Sequence, residues 1–209
     1  MIGLHSGIVR ERLTYLYGFD QFLSSQVQTV LDCGANVGCF SAQARYRMPV
    51  VRIVAVEPDP DNVKALATNM ENLNVEVKNV GHGRGKPLVC ANPGQRNATL
   101  IYREDEAKGT VRSLSLRQMM DGFKINPLTC FLKMDTEGSE QCILDDPDSP
   151  ALLQSLAGMG LELHGREQII RWGHYAVDNL SRNCKVCFQH RTHTGFLTTM
   201  RLDLWDKAI

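Results

Sequence analysis

Val30-Leu31-Asp32-Cys33-Gly34-Ala35-Asn36-Val37-Gly38-Cys39-Phe40-Ser41 is the stretch that decides the fold. Its apolar start, residues 29–33, predicts a short buried strand, after which two glycines break the run and a helix is expected from about Phe40. Glycine lets the backbone approach a ligand closely, and a helix start offers free N–H groups. A strand, a tight glycine turn and a helix start together predict a nucleotide-binding corner in an α/β fold.

The spacing of the glycines and one acid indicate which ligand this corner would take. A dehydrogenase typically has Gly-x-Gly-x-x-Gly here, whereas this chain has Gly34-x-x-x-Gly38, with Asp32 just before the first glycine. An acid is poorly placed beside a pyrophosphate but well placed beside a cationic ligand. S-adenosylmethionine carries an ammonium and a sulfonium and no phosphate, so the corner favours S-adenosylmethionine over NAD.

Two motifs of this sequence resemble those of a known family. Asp-x-Gly-Ala-Asn-x-Gly at residues 32–38 resembles motif I of the class I methyltransferases. Together with Lys133-Met134-Asp135-Thr136-Glu137-Gly138-Ser139-Glu140 downstream, it resembles the FkbM family over about Thr29 to Gly165. The resemblance implies a three-layer Rossmann-like sheet of about seven strands, mostly parallel with an antiparallel C-terminal pair. It also implies O-methylation of a hydroxyl on a sugar or another small molecule, with S-adenosylmethionine as cofactor.

Composition bounds the remaining alternatives. The 209 residues predict a single domain, 1–209, that is long enough for a full core. With 23 basic and 23 acidic residues, the net charge of zero gives no electrostatic case for nucleic-acid or anionic-membrane binding. The sequence shows neither a membrane-spanning apolar run nor a signal peptide, and its seven cysteines are read as reduced core residues. We therefore expect a cytoplasmic protein without a structural metal.

The ends of the second and third predicted strands supply cofactor contacts. The second strand ends in Glu57-Pro58, and an acid at this position hydrogen-bonds ribose hydroxyls. The third ends at Asn79 and Val80, and in the family that this chain resembles this strand end flanks the adenine ring. His82 is expected nearby as an exposed loop histidine. The predicted cofactor-binding residues are Asp32, Gly34, Ala35, Asn36, Gly38, Glu57, Pro58, Asn79, Val80 and Asp135.

Acidic and histidine side chains follow the fourth and fifth predicted strands. Asp135 and Glu137 come after the fourth, and Glu162 and His164 lie at the end of the fifth. Because adjacent strand ends meet at one edge of a parallel sheet, we predict these four residues as catalytic. His164 is the best-matched base by intrinsic pKa, and Asp135 orients it or takes the proton itself. The alternative is a divalent ion held by Asp135, Glu137 and Glu162.

The remaining patterns predict elements around this site. Residues 1–28 form an amphipathic helical cap that serves either as a lid or as a cover for the sheet edge. Residues 86–112 consist of short β-like pieces and predict a hairpin-like insertion, which shapes the substrate pocket or forms a structural edge. Residues 145–150 are expected to be a loop. Glu140 is expected in a helix, near its positive end.

Three other functions stay open at this stage. One is an RNA or other nucleic-acid methyltransferase on the same fold, which the neutral charge and the lack of an Asn-Pro-Pro-Tyr-type motif disfavour. The second is a non-catalytic module that binds S-adenosylmethionine or a partner. The third is a dehydrogenase, which would have to bind NAD without the third glycine. The sequence does not identify the acceptor or the oligomeric state.

Overall fold

The computed structural model describes residues 26–93, 100–180, 184–193 and 197–206, and gives only the backbone of His164 and of the residues beyond 180. The helical cap predicted for residues 1–28 therefore lies mostly outside the described residues. Residues 26–28 are not helical, so for them the prediction is wrong. They directly precede the first strand, and the N–H of Gln28 donates to the carbonyl oxygen of Thr129 at 2.8 Å.

Strands and helices alternate along most of the chain, as in a parallel sheet covered by helices. The strands are β1 (Thr29–Cys33), β2 (Arg52–Glu57), β3 (Val75–Asn79), β4 (Gly81–His82), β5 (Leu88–Cys90), β6 (Tyr102–Glu104), β7 (Ser113–Leu114), β8 (Cys130–Met134), β9 (Gly158–His164), β10 (Cys184–His193) and β11 (Leu197–Asp206). The α-helices are α1 (Cys39–Arg47), α2 (Pro60–Met70), α3 (Leu116–Gly122), α4 (Gln141–Leu144), α5 (Ser149–Ser155) and α6 (Arg166–Asn179). A single 3₁₀ turn, Pro127–Thr129, precedes β8 among the described residues.

Seven strands form one sheet in the order β10-β11-β9-β8-β1-β2-β3. β1 pairs in parallel with β2 on one side and with β8 on the other, whereas β11 is antiparallel to both β9 and β10. The predicted Rossmann-like sheet with an antiparallel C-terminal pair is confirmed. Because the chain proceeds outward from β1 in both directions, β1 and β8 flank the topological switch point, where such sheets bind ligands.

Helices cover both faces of the sheet, which explains why the central strands are continuous apolar runs. On one face, Met119 of α3, Leu153 of α5 and Trp172 of α6 pack in the main core. On the other face, Phe40 of α1 and Leu66 of α2 pack in two smaller clusters. No helix of the described residues is both long enough and apolar enough to cross a bilayer.

Gly34 allows the turn after β1 to lie directly against the end of β8. Its φ is +74°, and a Cβ atom there would lie 1.8 Å from the carbonyl oxygen of Asp135. The N–H groups of Gly34 and Ala35 both donate to the carbonyl oxygen of Val56 at 3.0 Å, and the N–H of Asp135 donates to that of Cys33 at 3.1 Å. Backbone pairing thus continues past the strand ends and joins three strands at the switch point.

Two local predictions, a loop at 145–150 and an exposed His82, are wrong. The loop expected at 145–150 contains the start of α5, because Pro150 occupies the first helical turn, where its missing N–H removes no helical hydrogen bond. His82 is only 4% exposed, because its strand β4 pairs with β7 instead of lying in a free loop. The insertion does contain a hairpin, in which β5 and β6 pair in antiparallel fashion.

We expect Gly34→Ala to lower the free energy of unfolding by more than about 2 kcal/mol. The left-handed backbone alone costs an alanine about 1–2 kcal/mol, and the new Cβ also overlaps a backbone oxygen. Gly173→Ala is the matched control, because this glycine lies inside α6 with open space around it, and the change should stabilise by about 0.5–1 kcal/mol. Urea unfolding measures both variants. Wild-type stability of Gly34→Ala would contradict the close approach.

Candidate functional site

A cleft of about 250 Å³ opens at the carboxyl ends of β1, β2 and β8. Its wall consists of the glycine turn, the end of β2, the loop after β8 and part of the insertion. The lining residues are Gly34, Ala35, Asn36, Val37, Cys39, Phe40, Val56, Glu57, Pro58, Asn62, Gly81, His82, Leu88, Leu100, Tyr102, Lys133, Asp135, Thr136, Glu137 and Ser139. Most of the predicted cofactor contacts are therefore gathered around one cavity, together with two of the four predicted catalytic residues.

Glu57 ends β2 and is 5% exposed at the cleft wall. Its Oε2 accepts a hydrogen bond from the N–H of Asn36 at 2.9 Å, and its Oε1 accepts from the N–H of Asp59 at 3.0 Å and from Nδ2 of Asn62 at 3.3 Å. Burial raises the pKa of this carboxyl, although these donors oppose the shift. These hydrogen bonds fix the side chain of Glu57. A carboxylate oxygen can accept more than one hydrogen bond, so Glu57 can still accept one from a ligand.

The glycine turn itself has an unusual backbone. Asn36 has a φ of 51°, and Gly38, the residue before α1, has a φ of 94°. The Asn36 side chain accepts a hydrogen bond from the N–H of Val37 at 2.7 Å, which stabilises this conformation. No side chain caps the start of α1, whose first residues, Cys39 and Phe40, line the cleft.

Asp32, which precedes the glycine turn, is fully buried and does not line the cleft. Its Oδ2 accepts a hydrogen bond from the hydroxyl of Ser41 at 2.6 Å, and its Oδ1 lies 3.1 Å from Nζ of Lys133. Nζ of Lys133 also donates to the carbonyl oxygen of Gly34 at 2.7 Å. Burial lowers the pKa of Lys133, but the charges of Asp32 and Asp135 outweigh burial, so the pKa is raised. The cation beside Asp32 is therefore a lysine of the protein.

Sequence reasoning missed this ion pair, although the sequence contained a signal for it. Asp32 and Lys133 are the only charged residues in β1 and β8, and they are register partners across the parallel pair. A single acid and a single lysine at matching positions of two otherwise apolar strands predict a buried pair once the strands are known to be neighbours.

The loop after β8 is held by a third buried acid, Glu140, which directly precedes α4. Its Oε1 accepts hydrogen bonds from the N–H and the hydroxyl of Thr136 at 2.5 and 2.7 Å. Its Oε2 accepts from the N–H of Gly138 and from Nε2 of Gln168, both at 2.8 Å. Within this loop Glu137 has a φ of 53°. Four donors thus hold a strained loop in place at the cleft.

The insertion reaches the cleft through Tyr102 of β6. Its hydroxyl donates to Oδ2 of Asp59 at 2.9 Å, while Oδ1 of Asp59 accepts from the N–H groups of Asp61 and Asn62 and so caps α2. Burial and the Asp59 contact raise the pKa of Tyr102. The insertion is therefore attached to the helix that follows Glu57, and its hairpin forms one wall of the cleft.

Several predicted site residues lie elsewhere. Gly38 and Val80 are not cleft-lining residues, and Asn79 holds the loop after β2, because its Nδ2 donates to the carbonyl oxygens of Glu57 and Pro58. Glu162 does not line the cleft. The side chain of His164 lies outside the described part of the structure. The fifth predicted strand therefore contributes no described side chain to the cleft.

The alternative of a divalent ion finds no matching arrangement. Within the described ranges, no three His, Cys, Asp or Glu side chains are grouped so that they could hold a metal ion. Asp135 and Glu137 share the cleft, but Glu162 does not join them.

We expect Lys133→Met to lower the free energy of unfolding by about 3–5 kcal/mol, because it leaves the charge of Asp32 buried without its partner. Adding Asp32→Asn should recover most of this loss, since neither charge then remains buried. Lys64→Met, which breaks the exposed pair with Asp61, is the control and should change stability little. A double-mutant cycle in urea measures the coupling, and additive effects would argue against the pair.

Comparisons with known proteins agree with this geometry. The profile of the methyltransferase FkbM domain matches residues 32–184. Methyltransferase FkbM from Methylobacillus flagellatus KT shares the fold with a TM-score of 0.56 and 18% identity, over 85% of this chain and 44% of that one. This chain thus spans less than half the length of that protein. No curated protein sequence matches significantly.

Two further solved structures share the fold. Precorrin-6y C5,15-methyltransferase from Geobacter metallireducens GS-15 matches with a TM-score of 0.52 and 15% identity, over 98% of this chain and 90% of that one. The N-terminal domain of human METTL16, solved in complex with SAH, matches with a TM-score of 0.51 and 14% identity, over 96% and 71%. The domain match covers most of the described sheet and both motifs, and this chain belongs to the FkbM methyltransferase family.

Proposed function

We propose that this protein is an S-adenosylmethionine-dependent O-methyltransferase that acts on a hydroxyl of a small polar molecule, with sugars as the first acceptors to test. The observation that supports this proposal most is the position of Glu57. A buried carboxylate, held by two backbone N–H groups, stands at the end of β2 on the wall of a cleft at the switch point. An acid in this place recognises ribose hydroxyls.

The rest of the lining fits S-adenosylmethionine better than a dinucleotide. Among the described lining residues the sole lysine or arginine is Lys133, whose charge is already matched by Asp32. A pyrophosphate would therefore find no uncompensated cationic side chain here. The glycine turn and the start of α1 supply the close backbone approach, and Glu57 the acceptor for ribose. When bound, S-adenosylmethionine supplies a methyl group on a positively charged sulfur.

The residues of the chain would then orient the acceptor and take its proton. An alcohol is a weak nucleophile near neutral pH, so transfer to a hydroxyl needs a positioned proton acceptor. Asp135 and Glu137 line the cleft on the loop that Glu140 holds, next to the glycine turn. We assign Asp135 to orienting the acceptor hydroxyl at this point. The partner we propose is accordingly a hydroxylated small molecule, in a cytoplasmic setting.

A nucleic-acid acceptor remains the alternative to be tested. The likeness to METTL16 is a likeness of fold alone at 14% identity. The zero net charge and the compensated lysine of the cleft both favour an uncharged acceptor over a polyanion.

Calorimetric titration with S-adenosylhomocysteine tests the cofactor. We expect Glu57→Ala to weaken binding by about 10- to 100-fold, because a hydrogen bond to a charged group contributes about 1.5–3 kcal/mol. Glu76→Ala is the matched control, since this acid lies on the neighbouring strand in a surface pair with Arg52 and should leave the affinity unchanged. No binding by the folded wild-type protein would refute the proposed cofactor.

Mass-spectrometric detection of a methylated product tests the acceptor class. Purified protein and S-adenosylmethionine are incubated with a panel of sugars and polyols, and in parallel with RNA oligonucleotides. We expect methylation of a hydroxylated small molecule, and a loss of turnover of at least about 100-fold in Asp135→Asn. Methylation of RNA alone would contradict the proposal.

A further inference from the structure

His82 is a buried histidine between the cleft and a second pocket. Among the described residues it alone lines both the cleft and a second pocket of about 250 Å³. That pocket is enclosed by the loop after β4, the start of α3 and residues 142–149, and it contains Arg84 and Asp146. A molecule in the second pocket and one in the cleft would therefore have the His82 side chain between them.

The hydrogen bonds of His82 determine which ring nitrogen carries the proton. Its Nδ1 lies 3.0 Å from the carbonyl oxygen of Ser139 and 3.4 Å from the hydroxyl oxygen of the same residue. A carbonyl oxygen can only accept, so Nδ1 must carry the hydrogen. In the neutral ring, Nε2 then has the lone pair, and it makes no hydrogen bond to any described residue.

A chain of two hydroxyl groups that ends on a carboxylate also supports a hydrogen on Nδ1 of His82. Glu140 accepts a hydrogen bond from the hydroxyl of Thr136 at 2.7 Å, so that hydroxyl has no hydrogen left to donate to another group. The hydroxyl of Ser139 therefore donates to the oxygen of Thr136, also at 2.7 Å. Ser139 then has only lone pairs to offer His82. Every donor in the series is thus set by the buried charge of Glu140, which holds His82 as the Nδ1–H tautomer.

We propose that Nε2 of His82 accepts the proton of the acceptor hydroxyl, an inference that rests on the proposed O-methylation. As the acceptor oxygen forms its bond to the methyl carbon, the bond between this carbon and sulfur breaks and its electron pair stays on sulfur. The hydroxyl proton passes to Nε2, and the resulting imidazolium later releases it to water. Glu140 and the hydroxyl chain act as positioning residues that keep Nε2 unprotonated and oriented.

The surroundings of His82 suit this role. Burial lowers its pKa, and the charges of Glu140, Glu104 and Asp146, together with the carbonyl group of Ser139, only partly oppose burial. The neutral ring therefore predominates at neutral pH. The same acidic groups also stabilise the imidazolium once it has formed. Arg84, the basic residue in the second pocket, is paired with Asp145 at 2.5 Å.

The tautomer can be measured without turnover. Nitrogen NMR of the full chain, labelled at its six histidines and saturated with S-adenosylhomocysteine, distinguishes Nδ1–H from Nε2–H, and His82→Asn identifies the signal of His82. We expect the Nδ1–H form with a pKa below the ordinary value for histidine. An Nε2–H tautomer overturns the inference, whatever the acceptor screen shows.

Turnover with the acceptor found in the screen provides the second test. His82→Asn keeps an N–H donor near the place of Nδ1 but has no base at the place of Nε2. We expect S-adenosylhomocysteine affinity close to wild type and kcat lower by about 10²–10⁴-fold. In the wild type, kcat should rise with pH through the lowered pKa of His82 and then level off, and His82→Asn should lose this rise.

Two outcomes of this second test overturn the inference. One is a kcat of His82→Asn within about threefold of wild type. The other is a pH-dependent rise that persists in His82→Asn but disappears in His164→Asn, which would make His164 the base. Failure of the proposed function is visible separately, as absent S-adenosylhomocysteine binding or as no product with any acceptor, and it removes this inference as well.

Discussion

The buried ion pair of Asp32 and Lys133 is the interaction on which the rest of the site depends. Two charges removed from water are costly, and here the cost is offset by their mutual contact, the hydroxyl of Ser41 and the carbonyl oxygen of Gly34. These contacts join β1 to β8 at the topological switch point, where the strand order of the sheet reverses. Lys133 lines the cleft and donates to the carbonyl oxygen of Gly34, so the same lysine that pairs with Asp32 also restrains the glycine turn.

Asp32 joins two strands, and two further buried acids restrain the loops that line the cleft. Glu57 accepts from backbone N–H groups of the turns on either side of it, and Glu140 accepts from those of the loop after β8. Both loops contain a residue other than glycine with positive φ, Asn36 and Glu137. Such conformations persist only when their surroundings over-determine them, and hydrogen bonds to a buried carboxylate provide that restraint. The site is thus preorganised mainly by carboxylates that accept backbone donors.

Local patterns predicted much of the fold because they depend on neighbours along the chain. The strand, the glycine turn and the helix start between residues 29 and 41 each follow from a few consecutive residues. His82 was misjudged because its burial depends on β7, which lies about thirty residues downstream in the sequence and provides the pairing partner. The start of α5 was missed because Pro150 indicates the end of a helix unless its position within the first helical turn is already known.

The sequence alone determined the family, the sheet with its switch point, and the acid of Glu57 at the end of the second strand, since each of these is written in short motifs and in strand order. Only the tertiary structure decided the partners of the polar residues. Asp32 faces a lysine a hundred positions away, Glu140 restrains a loop, and a chain of hydroxyls orients His82. The physical reason is that the protonation and direction of a buried polar group depend on the donors and acceptors around it, and folding brings these from distant segments.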